Sequence, residues 1–189
     1  MKLYVVRHGQ TLANTLQTVS GDKESPLTAE GIRQAKSLGE EFKDINFDVV
    51  FSSPLLRAID TARLITNKTI HLDERLIERD YGLNEGKLIK NTDPNEIWDY
   101  NLNTDKYDNE TVSHILERAF DFIEFLKENY SDKTVLVVTH SGLSRAIYYT
   151  LNELPKDGNL NKLELSNCGF MDKHQSSVSE GSQYSLPYL

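Results

Sequence analysis

Val135-Leu136-Val137-Val138-Thr139-His140-Ser141-Gly142 is a run of four apolar residues that breaks off into Thr, His, Ser and Gly. Four apolar residues without polar alternation mark a strand covered on both faces, the habit of strands inside a parallel sheet. Leu3-Tyr4-Val5-Val6-Arg7-His8-Gly9 follows the same plan, a short apolar run and then a His beside a Gly. Each histidine therefore lies just past the C-terminal end of its expected strand. In an α/β sheet, loops at that edge converge on a ligand crevice. Two distant segments that end alike predict one shared pocket, and Arg7 beside His8 predicts that the pocket receives an anion.

Between these two runs the pattern alternates. Thr28 is a fitting N-cap for a helix that repeats through Ile32, Ala35, Leu38, Gly39 and Phe42. Val49-Val50-Phe51 reads as a second strand, stopped by Ser52-Ser53-Pro54, and 55–65 as a helix with Leu55, Ile59, Ala62 and Ile65 on one stripe. Residues 69–72 read as a weaker strand. Val112 to Tyr130 is amphipathic through Ile115, Ala119, Phe122, Ile123 and Leu126, residues 143–151 continue as a helix, and 163–165 read as a last strand. Strands alternating with helices predict a three-layer α/β/α fold around a mostly parallel sheet. The least regular stretch is 87–110, with a short helix expected over 94–100. One domain over residues 1–170 is expected, followed by a serine-rich, poorly ordered tail over 171–189.

Composition narrows the function. Hydrophobic content of 38% and charged content of 26% are those of a globular chain. A net charge of -8 argues against nucleic acid or an anionic membrane as partner. Cys168 is the only cysteine, so no internal disulfide and no multi-cysteine zinc site can form. The N-terminal apolar run is too short for a signal peptide, and no segment approaches the roughly 20 apolar residues of a membrane span. A cytoplasmic protein is expected.

Five polar residues lie beyond strands or at helix starts: Arg7, His8, Arg57, Glu78 and His140. Two arginines offer planar donor forks that match phosphate oxygens and stay charged. A histidine with an ordinary pKa of about 6.5 is largely neutral at pH 7, so one ring nitrogen can act as a nucleophile. A carboxylic acid kept protonated by acidic neighbours can give its proton to a departing alkoxide. Together they can transfer a phosphoryl group with no metal and no cofactor, the cationic side chains supplying the electrostatics. Each motif alone has a plainer explanation, because a His after a strand is more often structural. His71, His114 and His174 fit that plainer explanation, and Arg33, Arg63 and Arg118 read as solvated helix positions.

Five colinear blocks carry a resemblance. They are Val6-Arg7-His8-Gly9-Gln10-Thr11 with Asn14; Pro26-Leu27-Thr28 with Gly31 and Gln34-Ala35; Ser52-Ser53-Pro54-Leu55-Leu56-Arg57-Ala58 with Thr61-Ala62; Leu76-Ile77-Glu78-Arg79-Asp80-Tyr81-Gly82 with Glu85-Gly86; and Val137-Val138-Thr139-His140-Ser141-Gly142 with Arg145. In this order they resemble the histidine phosphatase superfamily, also called the phosphoglycerate-mutase-like family. The resemblance implies His8 as the nucleophile, with Arg7, Arg57 and His140 around the phosphate and Asn14 as a further donor. It implies Glu78 as proton donor, and Ser20, Gly21 and Tyr81 as substrate contacts.

Within that family, net hydrolysis competes with phosphate exchange. The mutases carry paired arginines after the block matching Glu78–Gly86, but this chain has no Arg between Arg79 and Arg118. Trp98, Tyr100 and Tyr107 suit either an aromatic lid or ordinary core packing. Glu24, where an Asp is common, and the tail after Phe170 are further departures. The expected activity is therefore a phosphomonoesterase for small organic phosphates, of broad-specificity or alpha-ribazole-phosphate type. A phosphoglycerate mutase and a non-catalytic phosphate-binding module are the alternatives. The oligomeric state is not legible.

Overall fold

The computed structural model describes residues 1–174. Five strands form one sheet in the order β3-β2-β4-β1-β5: β1 (Lys2–Arg7), β2 (Val49–Ser52), β3 (Ile70–Leu72), β4 (Thr134–Thr139) and β5 (Phe170–His174). β1 and β2 both pair parallel with β4, β3 pairs parallel with β2, and β5 runs antiparallel along β1. Among the described residues six α-helices accompany the sheet: α1 (Leu12–Leu16), α2 (Ala29–Glu41), α3 (Leu56–Ile65), α4 (Pro94–Ile97), α5 (Val112–Asn129) and α6 (Ser141–Leu151).

The alternation of side chains along β4 explains why its sequence is apolar without a break. Leu136 and Val138 face a layer built from Leu38 and Phe42 near α2 and from Ala58, Ala62 and Ile65 on α3. Val135 and Val137 face the opposite layer, where Ile115, Ala119, Phe122 and Ile123 of α5 meet Leu143, Ala146 and Ile147 of α6. Each fully buried Leu, Ile or Phe contributes about 1.5–3 kcal/mol relative to exposure. The middle strands are thus apolar on both faces and the sheet is covered on both sides, as expected.

Three local expectations change. Residues 163–165 form no strand; they run as irregular chain after a 3-10 turn at Leu160–Lys162. Their carbonyls bond to arginine side chains instead, which satisfies the backbone without a ladder. Residues 171–174, expected in the tail, complete β5 beside β1; the remainder of that tail lies outside the described residues. The helix over 94–100 stops at Ile97, and a short helix α1, invisible to periodicity at five residues, follows β1. Its capping box is made by Thr11 and Asn14.

Candidate active site

The register of the sheet brings the two histidines together. Arg7 pairs with Thr139 in the parallel β1–β4 ladder, so His8 and His140 are each the next residue out. The His8 amide still donates to Thr139 O at 2.9 Å, and the two imidazole centroids lie 5.2 Å apart. β2 ends level with them, since Ser53 N donates to Val138 O. Three strands therefore stop together and their loops enclose one cleft of about 270 Å³. Arg7, His8, Asn14, Ser20, Gly21, Arg57, Glu78 and Tyr81 all line it.

His8 is held in one tautomer. Its Nδ1 lies 2.7 Å from Gly9 O, so Nδ1 carries the hydrogen and Nε2 keeps its lone pair. Burial, and then the charges of Arg7 and Arg57, hold its pKa well below the ordinary 6.5. The imidazole is neutral and therefore able to act as a nucleophile. Gly9 must be glycine for this loop to close, because a Cβ there would stand 2.5 Å from Gly31 O at the start of α2.

Arg57 is buried at the N-terminal end of α3. Its Nη1 and Nη2 donate to Lys23 O and Gly21 O, both at 2.6 Å, and its Nε donates to His140 Nδ1 at 3.2 Å. A guanidinium has five N–H donors, so two are left for a ligand. Gly21 reaches this position with φ of +57°, and a Cβ there would collide with the Glu85 carboxylate. Arg7 has its Nε buried with no hydrogen-bond partner, a donor ready for an anion.

His140 stands beside His8 but has both ring nitrogens engaged. It is fully buried, it is absent from the cleft lining, and its Nε2 bonds to Ser53 Oγ at 2.7 Å while its Nδ1 accepts from Arg57. Its pKa also lies well below 6.5, because of burial first and then Arg57. The imidazole is held neutral between Arg57 and Ser53.

Glu78 has both oxygens fixed by backbone amides: Oε1 accepts from Arg79 N at 2.7 Å, Oε2 from Gly142 N at 3.0 Å. Arg57, Arg79 and Arg145 lie close enough for their charges to act with it, and Glu164 lines the same cleft. Asn14 uses its Oδ1 on the Thr11 amide and hydroxyl and on Asn167 Nδ2, which leaves its own Nδ2 for the cleft. Ser20 is tied to Lys23 O at 3.2 Å, and Tyr81, partly buried, packs edge-on to Trp98.

Some site residues were not singled out as such. Trp98 is 3% exposed and lines the cleft, so it is both core and wall; Tyr100 is exposed, and Tyr107 bonds to Glu96 instead. Arg145, Asn161 and Glu164 also line the cleft, and Asn167 bonds to His8 O. Arg145 stood in a motif block and was the one legible signal; Asn161, Glu164 and Asn167 sit in chain with no pattern. Arg118 is no solvated residue: it clamps Glu110 through two bonds at 2.7 and 2.8 Å. Glu24 caps α3 by accepting from Leu56 N at 2.9 Å.

The sequence shows no carboxylate cluster at ligand spacing, yet the fold draws Asp22, Asp80 and Glu85 to within 4.8 Å of one another. Lys23 Nζ stands 2.6 Å from Glu85 and already supplies the counter-charge.

Comparison with known proteins identifies the family. A family model described as histidine phosphatase superfamily (branch 1) matches residues 3–173. A protein of Bacillus subtilis named uncharacterized phosphatase PhoE is 36% identical over 79% of this chain and 75% of its own length. A 2,3-bisphosphoglycerate-dependent phosphoglycerate mutase of Rhizobium etli is 33% identical over 80% of each chain. Among solved structures, the alpha-ribazole phosphatase of Shigella flexneri superposes with a TM-score of 0.76 at 27% identity, covering 91% of this chain and 89% of that one. A phosphoserine phosphatase of Entamoeba histolytica, in complex with 3-phosphoglyceric acid, gives 0.76 at 29% identity over 90% and 89%. No helix among the described residues is long and apolar enough to cross a membrane.

Proposed function

The chain belongs to the histidine phosphatase superfamily, and we propose that it hydrolyses small organic phosphate monoesters through a phosphohistidine on His8. The observation that carries this reading is the neutral His8 with Nε2 free, set in a cleft whose fixed charges are arginines. Phosphate oxygens are received by the unpartnered Nε of Arg7, the two remaining donors of Arg57 and Asn14 Nδ2. His8 Nε2 attacks phosphorus, the P–N bond forms, and the P–O bond to the alcohol breaks. Glu78 gives the leaving oxygen its proton and then takes one from the water that hydrolyses phospho-His8. His140 keeps Arg57 aimed; to touch phosphate it would first have to leave Ser53. Ser20, Gly21 and Tyr81 border the organic group of the ester.

The match to a mutase favours phosphate exchange as a second reading. Against it, residues 80–117 contain no arginine to hold a second phosphate near the mouth. A binding module without catalysis would need neither the free Nε2 nor the anchored carboxylate. Incubation with a panel of esters, including 3-phosphoglycerate and 2,3-bisphosphoglycerate, tests the reading. Release of inorganic phosphate with an acid-labile, alkali-stable label on the protein is expected, and the label should be absent from His8→Ala. Full activity in His8→Ala would remove the mechanism.

A further inference from the structure

Residues 163–165, which take no part in the sheet, are pinned from two sides. Arg145 Nε donates to Leu163 O at 2.7 Å and Arg7 Nη1 donates to Leu165 O at 2.5 Å. Glu164, between them, sends its side chain to the cleft and sets Oε1 3.0 Å from the same Arg7 Nη1. A carboxylate leaning on an arginine of the phosphate site works against a bare phosphate dianion. It neutralises part of the guanidinium charge and repels the ligand. The Glu164 side chain is 51% exposed, and a pair of that kind is held weakly. Glu164 can therefore take another cation when one is offered.

Arg145 supplies the opposite charge. It is 5% exposed, its guanidinium lies 4.2 Å from the Trp98 ring centroid, and it lines the same cleft. Among the described residues no carboxylate forms a salt bridge with it. Apart from the bond from Nε, its donors are open to a ligand. Beyond the phosphate position, one wall thus presents a fixed anion and a fixed cation, both anchored by the same three residues.

We infer that Glu164 accepts an ammonium group of the substrate while Arg145 receives a carboxylate, so that the cleft selects zwitterionic phosphate monoesters over purely anionic ones. The inference rests on the phosphomonoesterase reading above. An ammonium placed between phosphate and Glu164 turns the repulsion into attraction, and Arg7 is freed of the carboxylate while keeping its bond to Leu165 O.

O-phosphoserine and 3-phosphoglycerate test it, because they share a skeleton and differ by ammonium against hydroxyl on one carbon. Wild type should show a higher kcat/KM on phosphoserine. Glu164→Gln should cut the phosphoserine to 3-phosphoglycerate ratio by about tenfold or more, mainly through KM. The same change should raise kcat/KM for 3-phosphoglycerate and p-nitrophenyl phosphate, since the repelling charge is gone, which also shows that the variant folds. Wild type that turns over p-nitrophenyl phosphate yet does not prefer phosphoserine overturns the inference and leaves the phosphatase reading standing. A ratio unchanged in both Glu164→Gln and Glu164→Ala does the same. Failure of wild type on every ester would remove the phosphatase reading itself.

Discussion

Arg57 Nε donates to His140 Nδ1 at 3.2 Å, and the outer nitrogens of the same guanidinium are held by Lys23 O and Gly21 O. The fork is therefore fixed on three sides before any ligand arrives. Side chains locked in this way need no reorganisation when charge develops on a transferring group. The same economy holds for Glu78, whose two oxygens are aimed by two backbone amides.

If Glu78 protonates the leaving oxygen, Glu78→Gln should discriminate between leaving groups. An alkyl phosphate departs as a basic alkoxide and should lose about 10²–10⁴-fold in the phosphorylation step. p-Nitrophenyl phosphate departs as a stable anion and should lose far less, as read from the pre-steady-state burst of nitrophenolate. Equal losses would make Glu78 a residue that only positions the site.

Gly142 donates its amide to Glu78 and leaves no room for a side chain. A Cβ there would stand 2.3 Å from Glu78 Oε1 and 3.2 Å from Trp98 Cζ2. Gly142→Ala should displace the carboxylate, lower kcat on alkyl phosphates by about 10-fold or more, and cost about 1–3 kcal/mol of stability. Steady-state kinetics and thermal melts check both. An unchanged kcat would show that Glu78 tolerates a different position.

Acid should weaken the fold through the buried histidines. His8 and His140 have folded pKa values well below 6.5, set first by burial and then by nearby arginines. As pH falls below about 6.5, the unfolded chain takes up protons that the folded chain refuses, so stability falls with pH. Each group contributes up to about 1.4 kcal/mol per pH unit in that window. Urea midpoints between pH 7.5 and 5 should drop, and the drop should be shallower in His140→Asn. A slope identical in wild type and variant would show that His140 does not contribute. For catalysis the sign is the same: His8 stays neutral, so its protonation should limit kcat/KM only well below pH 6.5.

Chelation should leave the rate unchanged. The cations that face the cleft are arginines, and the Asp22, Asp80 and Glu85 group already holds Lys23. Dialysis against a chelator followed by a rate assay is the check. Activity lost on dialysis and restored by Mg²⁺ or Zn²⁺ would require a metal in the mechanism.

The sequence by itself determined the sheet and the chemistry of its edge. The unbroken apolar run of β4 required cover on both faces, and α2, α3, α5 and α6 announced that cover by their helical stripes. Arg7, His8 and Arg57 were legible as candidates because each sits at a fixed offset from a strand end or a helix start, where local pattern sets direction. Glu78 lies in irregular chain after a 3-10 turn and stood out by its motif block alone. Only the tertiary structure decided what depends on register and on irregular chain. The pairing of Arg7 with Thr139 put the two histidines side by side, and Ser53 and Arg57 took the two ring nitrogens of His140. Residues 163–165 looked like a strand because their apolar alternation is real, but two arginine side chains claimed their carbonyls first. Glu164 reached the cleft through those bonds, and Asn167 reached the backbone of His8. Such positions are fixed by side-chain hydrogen bonds between residues 18 to 159 apart in the chain, and no periodicity records them.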